Sequence, residues 1–390
     1  MEKSFYSQYQ EIILSQYPET HSLLPKIPWK HIVFPEVIKI SSSIFHQMAK
    51  VVSAIYSLKS DKEYLDFLKS HLESGVCLPH PQDSVLMAYD FHLDSSGAPR
   101  LIEVNTNGAG FLITDAVYQT QGIADKKPLE ELIQSFQEEW NKFQQGGKTL
   151  SKPSPEKVAL MDENPFQQKM ILEFLMYKKI FQRLNWSADI YDSKDLKEDS
   201  DGFLRDGQGR RVDFVYNRST DFYLEKSPHL QRAYRQGKAC FSPHPSEYFL
   251  LSDKARLCDW GFHKGKWPSL KDIVGNLIES QILTENNADW AWENKKKLFF
   301  KISQGHGGQS AYRGKTLTRK KFSQLRQGLA LFQEYIPPPV FRDSSGQEWK
   351  FDLRAYAYQG HIQQIAARCY KGQVTNFQEE GGGFAAVKFV

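Results

Sequence analysis

The stretch that most constrains this chain is residues 85–110, Val-Leu-Met-Ala-Tyr-Asp-Phe-His-Leu-Asp-Ser-Ser-Gly-Ala-Pro-Arg-Leu-Ile-Glu-Val-Asn-Thr-Asn-Gly-Ala-Gly. Two alternating, apolar-rich runs flank Ser-Ser-Gly-Ala, which reads as a hairpin of two strands around a turn. Side chains alternate between the faces of a strand, so the length of the connection fixes which residues meet. A connection of two or four residues sets Asp90 directly opposite Glu103. Asn105 then lies further along the same face, across from Ala88, whose small side chain leaves room. A connection of three or five residues turns Asp90 to the other face.

Two carboxylates facing each other across a ladder repel unless a cation lies between them. With the amide oxygen of Asn105 they make a hard oxygen set, suited to Mg²⁺ or Mn²⁺. A surface hairpin whose acids point into water is the simpler alternative. Leu101, Ile102 and Val104 nevertheless mark the second strand as largely buried, and Asn-Gly-Ala-Gly follows it in place of more strand. The expectation is a metal on Asp90, Glu103 and Asn105.

A second constellation lies near the C-terminus. Lys301 stands on an expected strand, Leu298-Phe-Phe-Lys-Ile-Ser303, just before Gln-Gly-His-Gly-Gly-Gln-Ser. Gly305, Gly307 and Gly308 allow backbone N–H groups to wrap an anion beside the lysine's point charge, although a flexible turn explains them equally well. Gly308 through Gly314-Lys315-Thr316 resembles a P-loop, but five residues separate the glycines where four are required. Phe332-Gln-Glu-Tyr-Ile336 runs into Pro337-Pro338-Pro339, which cannot continue a ladder; the strand edge released there can hydrogen-bond an adenine or is an ordinary strand terminus. In Phe351–Tyr358, Asp352, Arg354, Tyr356 and Tyr358 share one face. A two-residue turn at Gln359-Gly360 puts Arg368 on the opposite face to Arg354, and a three-residue turn brings them together; the sequence leaves both open. A loop with two acids and flexible backbone follows, Gly372–Asn376 and Glu379–Gly383.

The 390 residues allow two or three domains, and the net charge of +4 is small for that length. The basic runs Lys295–Lys297 and Arg319–Lys321 are short and read as solvated helix faces, not a nucleic-acid stripe. Four scattered cysteines, in no C-x-x-C pair, fit a reducing compartment. No apolar leader and no membrane-length run is present, so a cytoplasmic protein is expected. Residues 1–80 read as mainly helical, with apolar positions at helical spacing near 44–72. A helix is expected from about Leu129 to Phe143, then a Ser/Pro-rich linker over 148–155. Strands at 158–161, 187–191 and 212–217 alternating with a helix at 166–184 indicate a parallel α/β unit. Arg218 follows the last of these strands, where such sheets bind ligands, and is either an anion contact or a rim arginine in an ion pair.

Together these pieces resemble the ATP-grasp ligases, with the Asp…Glu-x-Asn element moved to the front as in the circularly permuted eukaryotic-type glutathione synthetases. Tyr89-Asp90…Ile102-Glu103-Val104-Asn105 is similar to their Asp-Tyr…Ile-Glu-Ile-Asn segment, and Tyr216-Asn-Arg218 to their Tyr-x-Arg strand end. The resemblance spans roughly residues 85–390. It implies an α/β (α+β) chain with a permuted metal-binding part (81–147), an inserted α/β substrate domain (156–245), and an ATP-binding and lid part (246–390); the helical N-terminal segment (1–80) stands outside the resemblance. It further implies ATP and Mg²⁺ or Mn²⁺ as cofactors, with Lys254 and Lys301 on the ATP phosphates beside Gly305, Gly307 and Gly308, and Gln333, Glu334 and Ile336 on adenine. Arg354 and Arg368 would act on the phosphoryl group and acyl substrate, with Arg218, Asn376 and Gly382 binding substrate. The chain departs from glutathione synthetases in carrying Gly305 where they have a metal-ligating Glu. The expected reaction is amide formation from a small-molecule acid and amine, without nucleic acid or membrane. An inactive nucleotide-binding relative is the alternative. Oligomeric state is left open, a homodimer included.

Overall fold

The computed structural model describes residues 3–73, 75–146, 152–302, 311–373, 375 and 380–390. The two runs of the central stretch form antiparallel strands, Met87–Leu93 and Pro99–Asn105. Their connection, Asp94–Ala98, has five residues, with Asp94 Oδ1 accepting from Ser96 N at 2.9 Å and Ala98 N at 3.1 Å. Pairing therefore starts in the register that would turn Asp90 away, with His92 opposite Arg100 and Phe91 opposite Leu101. A β-bulge then leaves Ile102 over, and beyond it Asp90 faces Glu103 and Ala88 faces Asn105. The expected facing is met, but a bulge brings it about and not the loop length.

This hairpin is half of a larger antiparallel sheet, ordered Gly383–Ala385, His361–Tyr370, Glu348–Tyr358, Met87–Leu93, Pro99–Asn105, with Val340–Arg342 also on Glu348–Tyr358. The second hairpin turns at Gln359 and Gly360, whose φ angles of 51° and 75° suit a two-residue type I′ turn. It too carries a bulge. Ala357 pairs Ile362 but Tyr356 pairs Gln364, so Gln363 is extra and Arg368 arrives opposite Asp352, on the face of Arg354. The two-residue turn thus gives the arrangement expected of a three-residue one.

Two smaller sheets flank the central one. Ala188–Asp192, Val158–Asp162, Phe214–Asn217 and Cys240–Ser242 form a wholly parallel sheet, as the strand–helix alternation predicts. Ser280–Ile282, Ala330–Glu334, Leu298–Ile302 and Ala311–Arg313 form an outer antiparallel sheet.

The N-terminal residues are part of the core. Met48, Val51, Val52 and Ile55 of helix Ser42–Ser57 are fully buried in one cluster with Tyr89, Phe91 and Leu353. Tyr9 and Ile13 of helix Phe5–Gln16 lie in a second with Ala88, Phe111 and Tyr216. Ile38–Ile40 pairs in parallel with Val387–Phe389, tying the two ends of the chain together. Helix Lys127–Gly146 is longer than expected, and helix Phe111–Thr120 was not expected at all. Phe111 through Val117 are buried on every side, so the segment has no polar face and no period to read. The four cysteines are free. No helix among the described residues is long and apolar enough to cross a membrane.

Candidate functional site

The bulges place three rows of side chains on one face of the central sheet. Arg354, Asp90 and Glu103 are partners across three strands; Tyr356, Ala88 and Asn105 form the next row, and Arg368 faces Asp352. This face borders a cleft of about 920 Å³, with the outer sheet and the loops of the parallel sheet as walls.

The floor is an alternating chain of charge. Arg354 Nε and Nη2 donate to the two carboxylate oxygens of Asp90 at 2.7 and 2.8 Å. Arg368 Nη2 stands 3.0 Å from Asp90 Oδ2, and its Nε donates to Asp352 Oδ1 at 2.6 Å. Thr375 Oγ1 donates to the other Asp352 oxygen at 2.6 Å. Burial alone would raise the Asp90 pKa, but the Arg354 and Arg368 guanidiniums bring it down to about 2. In this structure the charge that offsets Asp90 is that of Arg354 and Arg368, which contact both of its oxygens. Glu103, by contrast, has no hydrogen-bond or ion-pair partner among the described residues, and Asn105 Nδ2 makes one long contact to Asp90 at 3.3 Å. Among the described residues no group of three or more His, Cys, Asp or Glu is arranged to hold a metal.

The room across from Ala88 is taken by the chain itself. A Cβ on Gly108 would stand 2.5 Å from the Ala88 Cβ, so a glycine is needed for residues 106–110 to cross the sheet there. That crossing is firmly held. Tyr356 Oη donates to Ala109 O at 2.8 Å, Arg354 Nη1 donates to the same oxygen at 3.2 Å, and Arg218 Nη1 donates to Gly108 O at 3.0 Å. Glu173 accepts from Gly110 N and Leu112 N at the start of helix Phe111–Thr120, 3.7 Å from Arg218. Arg218 does not border the cleft. Arg218 is buried, with Glu173 as its nearest carboxylate, and it holds the 106–110 crossing.

On the opposite wall Lys301 and Lys254 meet. Both are nine-tenths or more buried; Lys301 Nζ donates to Ile102 O at 2.9 Å and Lys254 Nζ to Ile302 O at 3.1 Å. Burial, and secondarily Lys254, lower the Lys301 pKa against the pull of Glu103. Among the described residues no carboxylate lies within ion-pair distance of Lys301. Lys254 starts helix Lys254–Phe262, which Asp253 caps, directly after a turn of π-helix over Tyr248–Ser252. Such a turn is a signal of function that the sequence does not display.

Along the edge of the outer sheet, Gln333 is buried with its Oε1 unpartnered, and Glu334 is exposed. The Ile336 carbonyl accepts from His92 Nδ1 at 2.7 Å, while its N–H has no partner among the described residues. His92 and Asp352 border the cleft and were missed, although Asp352 was readable from its two-residue spacing to Arg354. Gly305, Gly307, Gly308 and Asn376 lie outside the described residues. Gly382 is buried and does not itself line the cleft, although Ile32 and Phe384 near it do. Its neighbour Gly383 packs on Ile32, where a Cβ would stand 2.4 Å from backbone. Asp90, Glu103, Asn105, Lys254, Lys301, Gln333, Glu334, Ile336, Arg354 and Arg368 all border the one cleft.

No family model matches the sequence, and no curated protein matches it. Among solved structures, a glutathione synthetase-like effector from Globodera pallida, in its apo form, aligns over 100% of this chain and 98% of its own. Sequence identity is 12% and the TM-score 0.54, a likeness of fold that includes the first 80 residues. A putative gamma-glutamylcysteine synthetase from Methylobacillus flagellatus aligns over 89% of this chain and 88% of its own, at 9% identity and a TM-score of 0.48. The ATP-grasp ligase PsnB, solved with a minimal precursor, covers 60% of this chain and 89% of its own, at 10% identity and a TM-score of 0.30.

Proposed function

We propose that this chain is an ATP- and magnesium-dependent carboxylate–amine ligase, with an ATP-grasp fold in circularly permuted order. The observation that carries the reading is the uncompensated charge in the cleft. Lys301 is buried beside Lys254 with no carboxylate within ion-pair distance among the described residues, and Glu103 on the facing wall has no hydrogen-bond or ion-pair partner among them either. A buried cation without its own counterion is a site for an anion.

In this reading Lys254 and Lys301 bind the phosphates, and the Ile336 N–H and Gln333 Oε1 are a donor and an acceptor for adenine. Glu103 and Asn105 offer hard oxygens that would hold a divalent cation, which would offset charge at the transferring phosphoryl group. The substrate carboxylate attacks the γ-phosphoryl group to give an acyl phosphate and ADP, and an amine then displaces phosphate. Arg354 and Arg368 are pre-oriented by Asp90 and Asp352, so their remaining N–H groups face the developing oxyanion without reorganising. Such a donor is worth about 3 kcal/mol.

The test is ADP release from Mg-ATP with pools of acids and amines, wild type beside Glu103→Gln. Release that needs both an acid and an amine is expected, with a loss of at least ~100-fold in the variant and no loss of thermal stability. Equal release by Glu103→Gln would sink the assignment. A second reading, a nucleotide-binding protein without turnover, is favoured by Gly305 and by the two-residue metal set. It predicts nucleotide binding with no release under any pairing.

A further inference from the structure

The basic runs Lys295–Lys297 and Arg319–Lys321 play no part in the cleft, yet the fold joins them. Gly314 packs so tightly on the first run that a Cβ there would stand 1.9 Å from the Lys295 carbonyl oxygen. The short turns Lys295–Lys297 and Gly314–Thr316 consequently lie back to back, with Lys295 Nζ donating to Leu317 O at 2.5 Å. Trp292 fixes the junction from the side: Lys295 Nζ lies 3.9 Å and the Arg319 guanidinium 4.1 Å from its ring centre. Residues 285–327 hold ten Lys and Arg against three Asp and Glu, an excess larger than the +4 of the whole chain. Of the ten, only Lys301 borders the cleft. Lys296, Lys297, Lys315 and Lys320 are exposed, and their ammonium groups have no hydrogen-bond or ion-pair partner among the described residues.

We propose that this face docks an acidic polypeptide segment, rich in Asp and Glu. Like charges gathered by a close-packed glycine repel one another, and a polyanion relieves that repulsion. A single-stranded nucleic acid fits less well. Its non-specific binders offer open aromatic faces for bases to stack on, whereas here Trp292 is covered by Lys295 and Arg319, and Tyr312 by Lys321 at 4.6 Å. At the junction itself what stays open are lysine ammoniums, point charges that take carboxylates from any direction. Trp290, half exposed on the same helix as Trp292, points away from Trp292 and leans on Phe332. The face also adjoins the cleft mouth, where Thr316 Oγ1 donates to Gln373 Oε1 at 3.3 Å and Gln373 lines the cleft. A docked segment therefore leads to that mouth. The proposal stands whether or not the cleft is catalytic.

The test is fluorescence anisotropy of a labelled Glu/Asp-rich peptide of roughly 12 residues, long enough at ~3.4 Å per residue to cross the face. The full chain is used without nucleotide, so the fate of the ligase reading does not affect the result. Wild type should bind at low salt and weaken as salt rises. Combining Lys296→Glu, Lys297→Glu, Lys315→Glu and Lys320→Glu should weaken binding by at least about tenfold. The same four positions changed to Gln should give a smaller loss, and decide the matter if the reversed variant does not fold. No peptide binding at low salt, unchanged binding by the Gln variant, or tighter binding of a single-stranded RNA of equal charge would each overturn the proposal.

Discussion

The two hairpins of the central sheet meet the same demand from opposite starting points. The first has a five-residue connection, which by itself turns Asp90 out of the cleft; the second has a two-residue turn, which by itself turns Arg368 away from Arg354. Each inserts one extra residue between its turn and its site row, and every side chain beyond the insertion changes face. The extra residues are anchored by different means. The Ile102 carbonyl accepts Lys301 Nζ from the opposite wall of the cleft, so the first bulge is part of the site. The Gln363 side chain donates to Ser135 Oγ at 2.8 Å on helix Lys127–Gly146, so the second is fixed to the helical scaffold and not to the cleft wall. Aim is set at the bulge, and what holds the bulge differs.

The strongest way to break this arrangement is to cut the pair that joins the hairpins. Asp90 belongs to the first and Arg354 to the second, and their two parallel hydrogen bonds are buried. Removing one member of a buried pair leaves a charge without compensation, so Arg354→Ala should cost about 3 kcal/mol in urea unfolding. Arg368, 3.0 Å from Asp90, limits the loss. Asp90→Ala combined with Arg354→Ala should cost clearly less than the sum of the single changes. Strict additivity would show that the hairpins are held by packing alone.

A smaller effect separates the hairpins by pH. The second turn is clamped from behind: Tyr358 Oη donates to Glu139 Oε1 at 2.5 Å, and Lys142 bridges Glu139 and Asp83. The first turn has no such clamp; its Asp94 is bonded only within the turn and to Arg100. Burial, opposed by Lys142 and aided by Asp83, raises the Glu139 pKa to about 7. A carboxyl whose folded pKa lies above its unfolded value of 4.5 contributes stability below 4.5 and loses it as pH rises through 7. Unfolding free energy should therefore fall by roughly 2–3 kcal/mol from pH 4.5 to 8 on this account. Glu139→Gln should flatten that fall. An unchanged slope in the variant would assign it to other groups.

Much of this was legible in the sequence and some could not be. The hairpin, the parallel strands and the Asp352/Arg354 face follow from alternation, which reports burial on one side. The bulges were invisible, because Ile102 and Gln363 differ in no way from ordinary strand residues; their anchors, Lys301 and Ser135, are 199 and 228 positions away. The arginine partners of Asp90 were hidden for a related reason. Two acids face to face imply a cation, but composition alone does not say whether it is a metal or the guanidinium of a strand 264 residues further on. Arg218 was seen at the right strand end, yet its partner Glu173 lies inside helix Ile171–Arg183, where it reads as an ordinary helical glutamate.

The finest comparison sets one turn glycine against the other. Gly97 and Gly360 both have positive φ, 82° and 75°. A Cβ on Gly97 meets nothing within 4 Å, so Gly97→Ala should cost only the backbone penalty, about 1 kcal/mol. On Gly360 it would stand 3.0 Å from Tyr56 Cβ and from the edge of its ring. Tyr56 cannot simply swing away, because its hydroxyl donates to Asp83 Oδ1 at 3.1 Å within the clamp behind the second turn. Gly360→Ala should thus exceed Gly97→Ala by about 1 kcal/mol in thermal or urea unfolding. The excess should vanish when Tyr56→Ala removes the obstructing ring. If it persists, the second turn draws its rigidity from backbone geometry and not from the clamp.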